Sequence, residues 1–121
     1  MIKSNYHTHT NFCDGKSTAE EMVKSAIEKK FDIFGFSSHS AYPYKSSWHL
    51  NPEKHFEYSK EIQRLKEFYK NDIELCLGFE SDYFPLICSP DKQRFLEFEP
   101  DFIIGSVHFV VNLDEPEKKG F

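Results

Sequence analysis

The sequence lacks any long apolar run: none of its 121 residues belongs to a stretch approaching the ~20 apolar residues that a membrane span needs. No signal peptide precedes its first apolar stretch. Its three cysteines are an odd number and none belongs to a CxxC pair, which argues against a secreted disulfide scaffold. These absences predict a soluble, cytoplasmic protein with no membrane partner.

Clusters of basic residues are also missing. The formal net charge is −5, and no group of Lys and Arg is dense enough to form a nucleic-acid surface. The pair Lys118 and Lys119 is expected to be a solvated tail. Internal repeats, low-complexity tracts and linkers are absent as well, so residues 1–121 are predicted to form a single domain with no nucleic-acid partner.

Short apolar stretches are what the sequence does contain. Three of them are rich in Ile, Phe and Leu and predict strands that are buried on both faces. A fourth, at the start of the chain, runs directly into a pair of histidines. The four stretches are residues 1–6, 31–36, 72–77 and 101–104.

Helix signals fill the segments between these strands. Residues 17–30 place Ser17 and Glu20 at capping-box spacing and continue with an apolar stripe. An N-cap residue followed by proline predicts two further helix starts, at residues 51–52 and 89–90. The helix that starts at residues 89–90 is expected to end near residue 98. Alternating strands and helices predict an α/β fold with about four parallel strands, in an open sheet or a barrel.

A histidine pair follows the first strand. His7 and His9 are two residues apart, so on an extended chain both imidazoles point to the same face. Asp14 comes shortly afterwards, although Asp followed by Gly is also ordinary turn chemistry. Neutral imidazoles with a nearby carboxylate suit a divalent cation such as zinc, manganese or iron.

Each of the other three strands also leads to a side chain that can bind metal. The carboxyl ends of parallel strands share one edge of a sheet, which is where α/β proteins build their sites. A single histidine there is more often a hydrogen-bonded core residue, but four matching positions favour a metal site. The three further candidates are His39, Glu80 and His108.

These motifs together resemble the PHP (polymerase and histidinol phosphatase) superfamily, and in detail its histidinol-phosphatase branch. The resemblance covers nearly the whole chain, with four motifs in the family order. The matching residues are HTHT at 7–10, DG at 14–15, SH at 38–39, GFESDY at 78–83 and IIGSVHF at 103–109.

The resemblance implies a distorted (β/α)7 barrel with up to three divalent metals at the carboxyl ends of its strands. His7 and His9 would hold one metal, and Glu80 would bridge it to a second that His108 also binds. Asp14 and His39 would belong to the third. The implied reaction is hydrolysis of L-histidinol phosphate to L-histidinol and phosphate in histidine biosynthesis, by a metal-activated hydroxide.

The length departs from that family. A (β/α) barrel typically needs ~250 residues, and this sequence supplies about four strands in 121. The chain therefore resembles the N-terminal half of such a domain, without the later ligands and phosphate-binding residues. A fragment, a truncated reading frame or a half that needs a partner would each fit. An uncovered half-barrel edge would favour self-association.

Two alternatives to the histidinol-phosphatase interpretation stay open. One is a PHP-type phosphoesterase acting on nucleotides or DNA ends, which the acidic balance disfavours. The other is a non-catalytic remnant that binds metal weakly.

Several further residues have weaker predictions. Asp82 and Tyr83 could orient a metal ligand, although simple packing also accounts for Tyr83. His55 is expected to face solvent. His49 lies in a loop that either contacts substrate or is a mobile surface loop. Two cysteines have structural predictions: Cys76 as a small buried side chain, and Cys13 as an ordinary loop residue beside the histidine pair.

Overall fold

Four parallel strands form one curled sheet, and helices alternate with them, as the sequence predicts. The computed structural model describes residues 1–41, 46–84 and 88–108, together with the backbone of residues 110–111 and 119–120. The strands follow chain order across the sheet. They are β1 (Ser4–Asn5), β2 (Ile33–His39), β3 (Glu74–Asp82) and β4 (Phe102–Ser106), and a separate antiparallel pair joins β5 (Val110–Val111) to β6 (Lys119–Gly120).

Strands β2 and β3 extend further toward their carboxyl ends than predicted. Their parallel pairing starts at Ile33 and Glu74 and continues to His39 and Glu80, so these two candidate ligands lie within the sheet rather than after it. The apolar pattern missed this because Ser37 and Ser38 interrupt it, while the backbone hydrogen bonds continue. Strand β1, in contrast, covers only two of the six predicted residues.

The three helices begin one or two residues later than predicted. Helix α1 (Ala19–Glu28) is capped by Thr18, whose side chain accepts from the backbone of Glu21, so the capping box lies one residue later than predicted. Helix α2 (Lys54–Phe68) begins after residue 53 without a side-chain cap. The third helix is a 3₁₀ helix (Lys92–Phe98), with Asp91 as its cap.

Helix α2 covers the outer face of the sheet. Tyr58, Ile62 and Leu65 are fully buried against strand residues such as Phe36 and Phe79. The predicted exposure of His55 on this helix is wrong, because the side chain packs against the rings of aromatic neighbours and is 8% exposed. The helix begins at Lys54, later than the predicted start at residues 51–52, so the face of the helix on which His55 lies was assigned wrongly.

The opposite, inner face of the sheet carries the candidate ligands. Residues at alternate positions of β3 share that face, so Gly78, Glu80 and Asp82 are aligned along it. The ring of Phe102 lies over Gly78, and a Cβ there would come within 2.4 Å of the ring.

Strand β4 is less buried than predicted. Phe102, Ile103 and Ile104 are only half-buried within the part of the chain that the structure describes, whereas most of β2 and β3 is buried. The prediction of burial on both faces is therefore wrong for this strand, which lies at an edge of the sheet. None of the helices in the described segments is long and apolar enough to cross a membrane.

Candidate metal centre

The structure brings all six predicted ligands to the carboxyl-terminal end of the sheet. His39 ends β2, Glu80 lies near the end of β3, and His108 follows β4. The chain after β1 continues beside β2, held by a hydrogen bond from Ser37 N to Thr8 O at 2.9 Å. This bond sets the position of the histidine pair on either side of residue 8.

Glu80 is the common neighbour of the imidazoles. Its carboxylate is 4% exposed, and its Oε1 contacts His7 Nε2 directly and lies 3.5 Å from His9 Nε2. Its Oε2 lies 3.1 Å from His39 Nδ1 and 3.4 Å from His108 Nε2. The two oxygens therefore face two different groups of nitrogens, which is the arrangement that a bridging carboxylate requires.

Asp14 approaches the imidazoles from the loop that follows β1. Its Oδ2 lies 3.2 Å from His39 Nε2 and its Oδ1 lies 3.6 Å from His9 Nδ1. The rings of His9 and His39 stack with 4.3 Å between their centroids. Gly15 permits this turn, because a Cβ at residue 15 would lie 2.5 Å from His9 O.

The donor atoms fit divalent cations in three groups. In each group the ligand atoms lie within 4.8 Å of one another. A neutral imidazole offers only one lone pair, so His9 and His39, which belong to two groups each, can serve only one cation at a time. The groups are His7, His9 and Glu80; His9, Asp14 and His39; and His39, Glu80 and His108.

His39 provides an independent sign of a fit. Its Nδ1 is buried and makes no hydrogen bond with the described residues, although Glu80 is close. Burial lowers the pKa of His39, and this effect outweighs the nearby carboxylates that raise the pKa. A buried, neutral imidazole with an unused ring nitrogen is the form that binds a metal ion.

Asp82 lies just beyond the ligands and bonds to one of them. It accepts hydrogen bonds from Ser106 Oγ at 2.7 Å, from His49 Nε2 at 2.9 Å and from His108 Nδ1. Burial raises the pKa of this carboxyl group, but the three hydrogen bonds outweigh burial and lower the pKa to about 2. The side chain of Tyr83 is 49% exposed; its backbone N–H donates to Ser106 O at 2.7 Å.

Trp48 and His49 pack directly against the candidate ligands, which the sequence left open. The ring of Trp48 meets those of His39 and His108, with centroid distances of 4.7 and 4.9 Å. His49 is buried, so the described end of this loop is fixed against the site. The available signal was their position after His39, at the site end of the sheet; residues 42–45 of the loop lie outside the described residues.

The side chain of Cys13, in the loop beside the histidine pair, lies next to two candidate ligands. Its Sγ lies 3.7 Å from His9 Nδ1 and 3.5 Å from Asp14 Oδ1. Cys76 is half-buried in β3, and burial raises the pKa of its thiol. A raised pKa keeps the thiol protonated and unreactive, which agrees with a packing role.

The chain matches the PHP domain family over residues 5–120. A protein of Deinococcus radiodurans named "Probable histidinol-phosphatase" is 29% identical over 121 residues, covering 92% of this chain and 45% of the relative. The DNA polymerase/3'-5' exonuclease PolX of Bacillus subtilis is 29% identical over 115 residues, covering 95% of this chain and 20% of the relative. The chain thus spans less than half the length of these relatives.

Solved structures show the same likeness. A candidate histidinol phosphatase from Listeria monocytogenes superimposes with a TM-score of 0.76 and 28% identity, covering 90% of this chain and 46% of that protein. A histidinol phosphate phosphatase from Lactococcus lactis, described in complex with zinc, L-histidinol and phosphate, gives a TM-score of 0.65 and 25% identity. That match covers 89% of this chain and 41% of the Lactococcus protein.

Proposed function

This chain belongs to the PHP domain family, and on that premise we propose that it carries the N-terminal half of a metal-dependent phosphomonoesterase of the histidinol-phosphatase type. The proposed substrate is L-histidinol phosphate, and the products are L-histidinol and phosphate. One observation carries the proposal: four imidazoles from three segments of the chain surround the two oxygens of a single buried carboxylate, Glu80. A role in cytoplasmic histidine biosynthesis is part of the same proposal.

The proposed ligand roles follow from which atoms face each other. His7, His9 and Glu80 would hold one metal, and Glu80 and His108 would hold a second. Asp14 and His39, whose Oδ2 and Nε2 lie 3.2 Å apart, would belong to the third. Bound divalent cations would supply a hydroxide near neutral pH and offset the charge on the phosphoryl oxygens.

The surrounding residues would keep those ligands in place. Burial keeps His39 neutral, so its lone pair is available at neutral pH. Trp48 contacts two of the imidazole rings and covers them from the loop side. Association of two copies through the half-buried β4 edge is part of the same proposal.

A phosphatase assay with matched substrates tests the proposal. The purified chain would be supplied with Mn²⁺ or Zn²⁺ and assayed with histidinol phosphate, an aryl phosphate and a 3'-phosphorylated oligonucleotide. A His7→Ala/His9→Ala variant is the control for contaminating phosphatases. Turnover of histidinol phosphate that the double variant lacks supports the proposal.

The same assay separates the alternatives. The likeness to PolX is the observation that favours a phosphoesterase acting on nucleotides or DNA ends. Preferential turnover of the oligonucleotide would support that function and contradict the histidinol-phosphatase proposal. Metal binding with no turnover of any of the three substrates would show that this chain by itself is a metal-binding module without catalytic activity.

A further inference from the structure

His49 is buried at the end of the loop that follows β2. Its side chain is 4% exposed, and the next residue, Leu50, is 1% exposed and donates its backbone N–H to His39 O at 2.9 Å. The Trp48 backbone N–H donates to Ser46 Oγ at 3.2 Å. These bonds fix the residues on both sides of His49, so its imidazole has a defined direction.

That direction leads to Asp82. His49 Nε2 lies 2.9 Å from Asp82 Oδ2, and both side chains are at most 5% exposed. The other oxygen, Oδ1, accepts from Ser106 Oγ at 2.7 Å and from His108 Nδ1. An ionised carboxylate can only accept hydrogen bonds, so each imidazole nitrogen that faces Asp82 carries its proton.

The consequence falls on His108. With the proton on Nδ1, the lone pair of a neutral His108 is on Nε2, the nitrogen that lies 3.4 Å from Glu80 Oε2. We propose that His49 is a positioning residue: through Asp82 it holds His108 in the Nδ1–H tautomer and aims Nε2 at the metal group formed with Glu80. The proposal rests on the proposed function for the role of that group, but the tautomer itself does not require a metal.

The reason for a two-histidine arrangement lies in how Asp82 is held. A buried carboxylate with one oxygen unbonded could rotate or take up a proton, and either change would release His108. His49 occupies Oδ2, which leaves Oδ1 for Ser106 and His108. In metal sites generally, partners of this kind set ligand orientation, and their loss costs about 10–100-fold in metal affinity.

A purely structural role for His49 is the competing explanation. Its ring lies against Trp48, with 3.6 Å between the centroids, so the imidazole could simply support the tryptophan. Two substitutions separate the explanations. His49→Leu removes both the ring and the N–H donor, whereas His49→Gln removes the ring but keeps a donor that can reach Asp82.

The first measurement is the ¹⁵N spectrum of the histidine side chains in the metal-free chain at pH 8.5, above the ordinary imidazole pKa of about 6.5. We expect the Nδ1–H tautomer for His108 in the wild type and in His49→Gln, and a mixture of tautomers in His49→Leu. The Nε2–H tautomer in the wild type, or no difference between the two variants, would overturn the proposal. The wild-type spectrum can overturn the proposal by itself, and His49→Gln, which keeps the donor to Asp82, tests the role of His49 even if His49→Leu fails to fold.

Zinc affinity is the second measurement, by competition with a chelating dye. We expect His49→Leu to bind about tenfold more weakly than the wild type and His49→Gln to stay within about threefold. Equal losses in both variants would assign His49 a packing role. If the wild-type chain binds no zinc, the proposed function fails, and the tautomer spectra still decide the positioning role.

Discussion

The hydroxyl of Tyr58 donates a hydrogen bond to the carbonyl oxygen of Gly78 at 2.7 Å, two residues before Glu80 in β3. The Tyr58 hydroxyl oxygen in turn accepts a hydrogen bond from the backbone N–H of Ser38 at 3.3 Å, one residue before His39 in β2. One fully buried phenol on α2 therefore joins the two strands that carry the central candidate ligands. Burial raises the pKa of Tyr58, so it remains a neutral donor at all ordinary pH values.

Tyr58→Phe is expected to lower the free energy of unfolding by about 1–3 kcal/mol, because it leaves a buried carbonyl and a buried N–H without this partner. Urea denaturation measures the loss. Tyr69→Phe is the matched control, since the Tyr69 hydroxyl bonds to the partly exposed Glu20 and should contribute less. An equal loss in both variants would contradict the importance of the buried bond.

Gly78→Ala is expected to destabilise the inner face of the sheet by about 1–3 kcal/mol. A Cβ at residue 78 would lie 2.4 Å from the Phe102 ring, so the ring must move. Gly35→Ala is the milder comparison, since its nearest atoms, on Phe102 and Tyr6, are 3.0 Å away. Thermal denaturation compares the two, and adding Phe102→Leu to Gly78→Ala should recover part of the loss. No recovery would place the strain elsewhere.

The buried His55 predicts a pH-dependent stability. Burial, with a smaller effect from Arg94, lowers the pKa of His55 to about 4. Its Nε2 accepts from Ala41 N at 3.0 Å, which requires the neutral ring. About one pH unit above the ordinary imidazole pKa of about 6.5, the side chain is neutral in both the folded and the unfolded state. As the pH falls toward 4, the unfolded chain binds a proton that the folded chain excludes, so stability falls by about 3 kcal/mol over that window.

Urea denaturation of the wild type and of His55→Gln between pH 7 and pH 4 checks this prediction. The variant cannot titrate in this range, so its stability should fall less steeply as the pH decreases. Parallel curves for the two proteins would show that His55 is not the group responsible.

Glu80→Gln is expected to lower the metal content to near background. Both carboxylate oxygens face candidate ligand groups, and a neutral amide would be a poor bridge between two cations. Elemental analysis after equilibration with Zn²⁺ gives the number of ions per chain. The control is Glu57→Gln, an exposed carboxylate on α2 that pairs only with Lys54 in the described structure. Unchanged zinc in Glu80→Gln would contradict the central role of Glu80.

Asp14→Asn should have a narrower effect than Glu80→Gln. Asp14 belongs to only one of the three candidate groups, with His9 and His39. We therefore expect the variant to lose about one metal ion per chain and keep the others, as measured by elemental analysis. Loss of every ion would mean that Asp14 holds the whole cluster together, and loss of none would favour its role as an ordinary turn residue.

The sequence predicted the alternation of parallel strands with helices, and it predicted that the candidate ligands lie close together, because both depend on local patterns. Short apolar stretches marked β2, β3 and β4, and the polar side chains after them pointed to one edge of the sheet. The limits of β2 and β3 could not be predicted in the same way. Ser37 and Ser38 break the apolar pattern, and only the hydrogen bonds between the two strands show that pairing continues to His39 and Glu80.

Contacts between distant segments were the other part that sequence patterns did not reveal. The hydrogen bond between His49 and Asp82 joins residues that are 33 positions apart, and no sequence pattern around either residue predicts this contact. His55 was misjudged for the same kind of reason. Its burial depends on Phe79 and Phe98, which come from a strand and a 3₁₀ helix much later in the chain.

The pairing of β2 with β3 also makes correct folding a condition for metal binding. Side chains alternate between the two faces of a strand, so a slip of one residue would exchange every inner side chain for an outer one. Glu80 would then point into the layer packed by α2, and Phe79 would take its place among the imidazoles. A misaligned sheet would thus bury a charge without partners and expose an aromatic ring. Metal binding would therefore report that β2 and β3 are paired in the correct register.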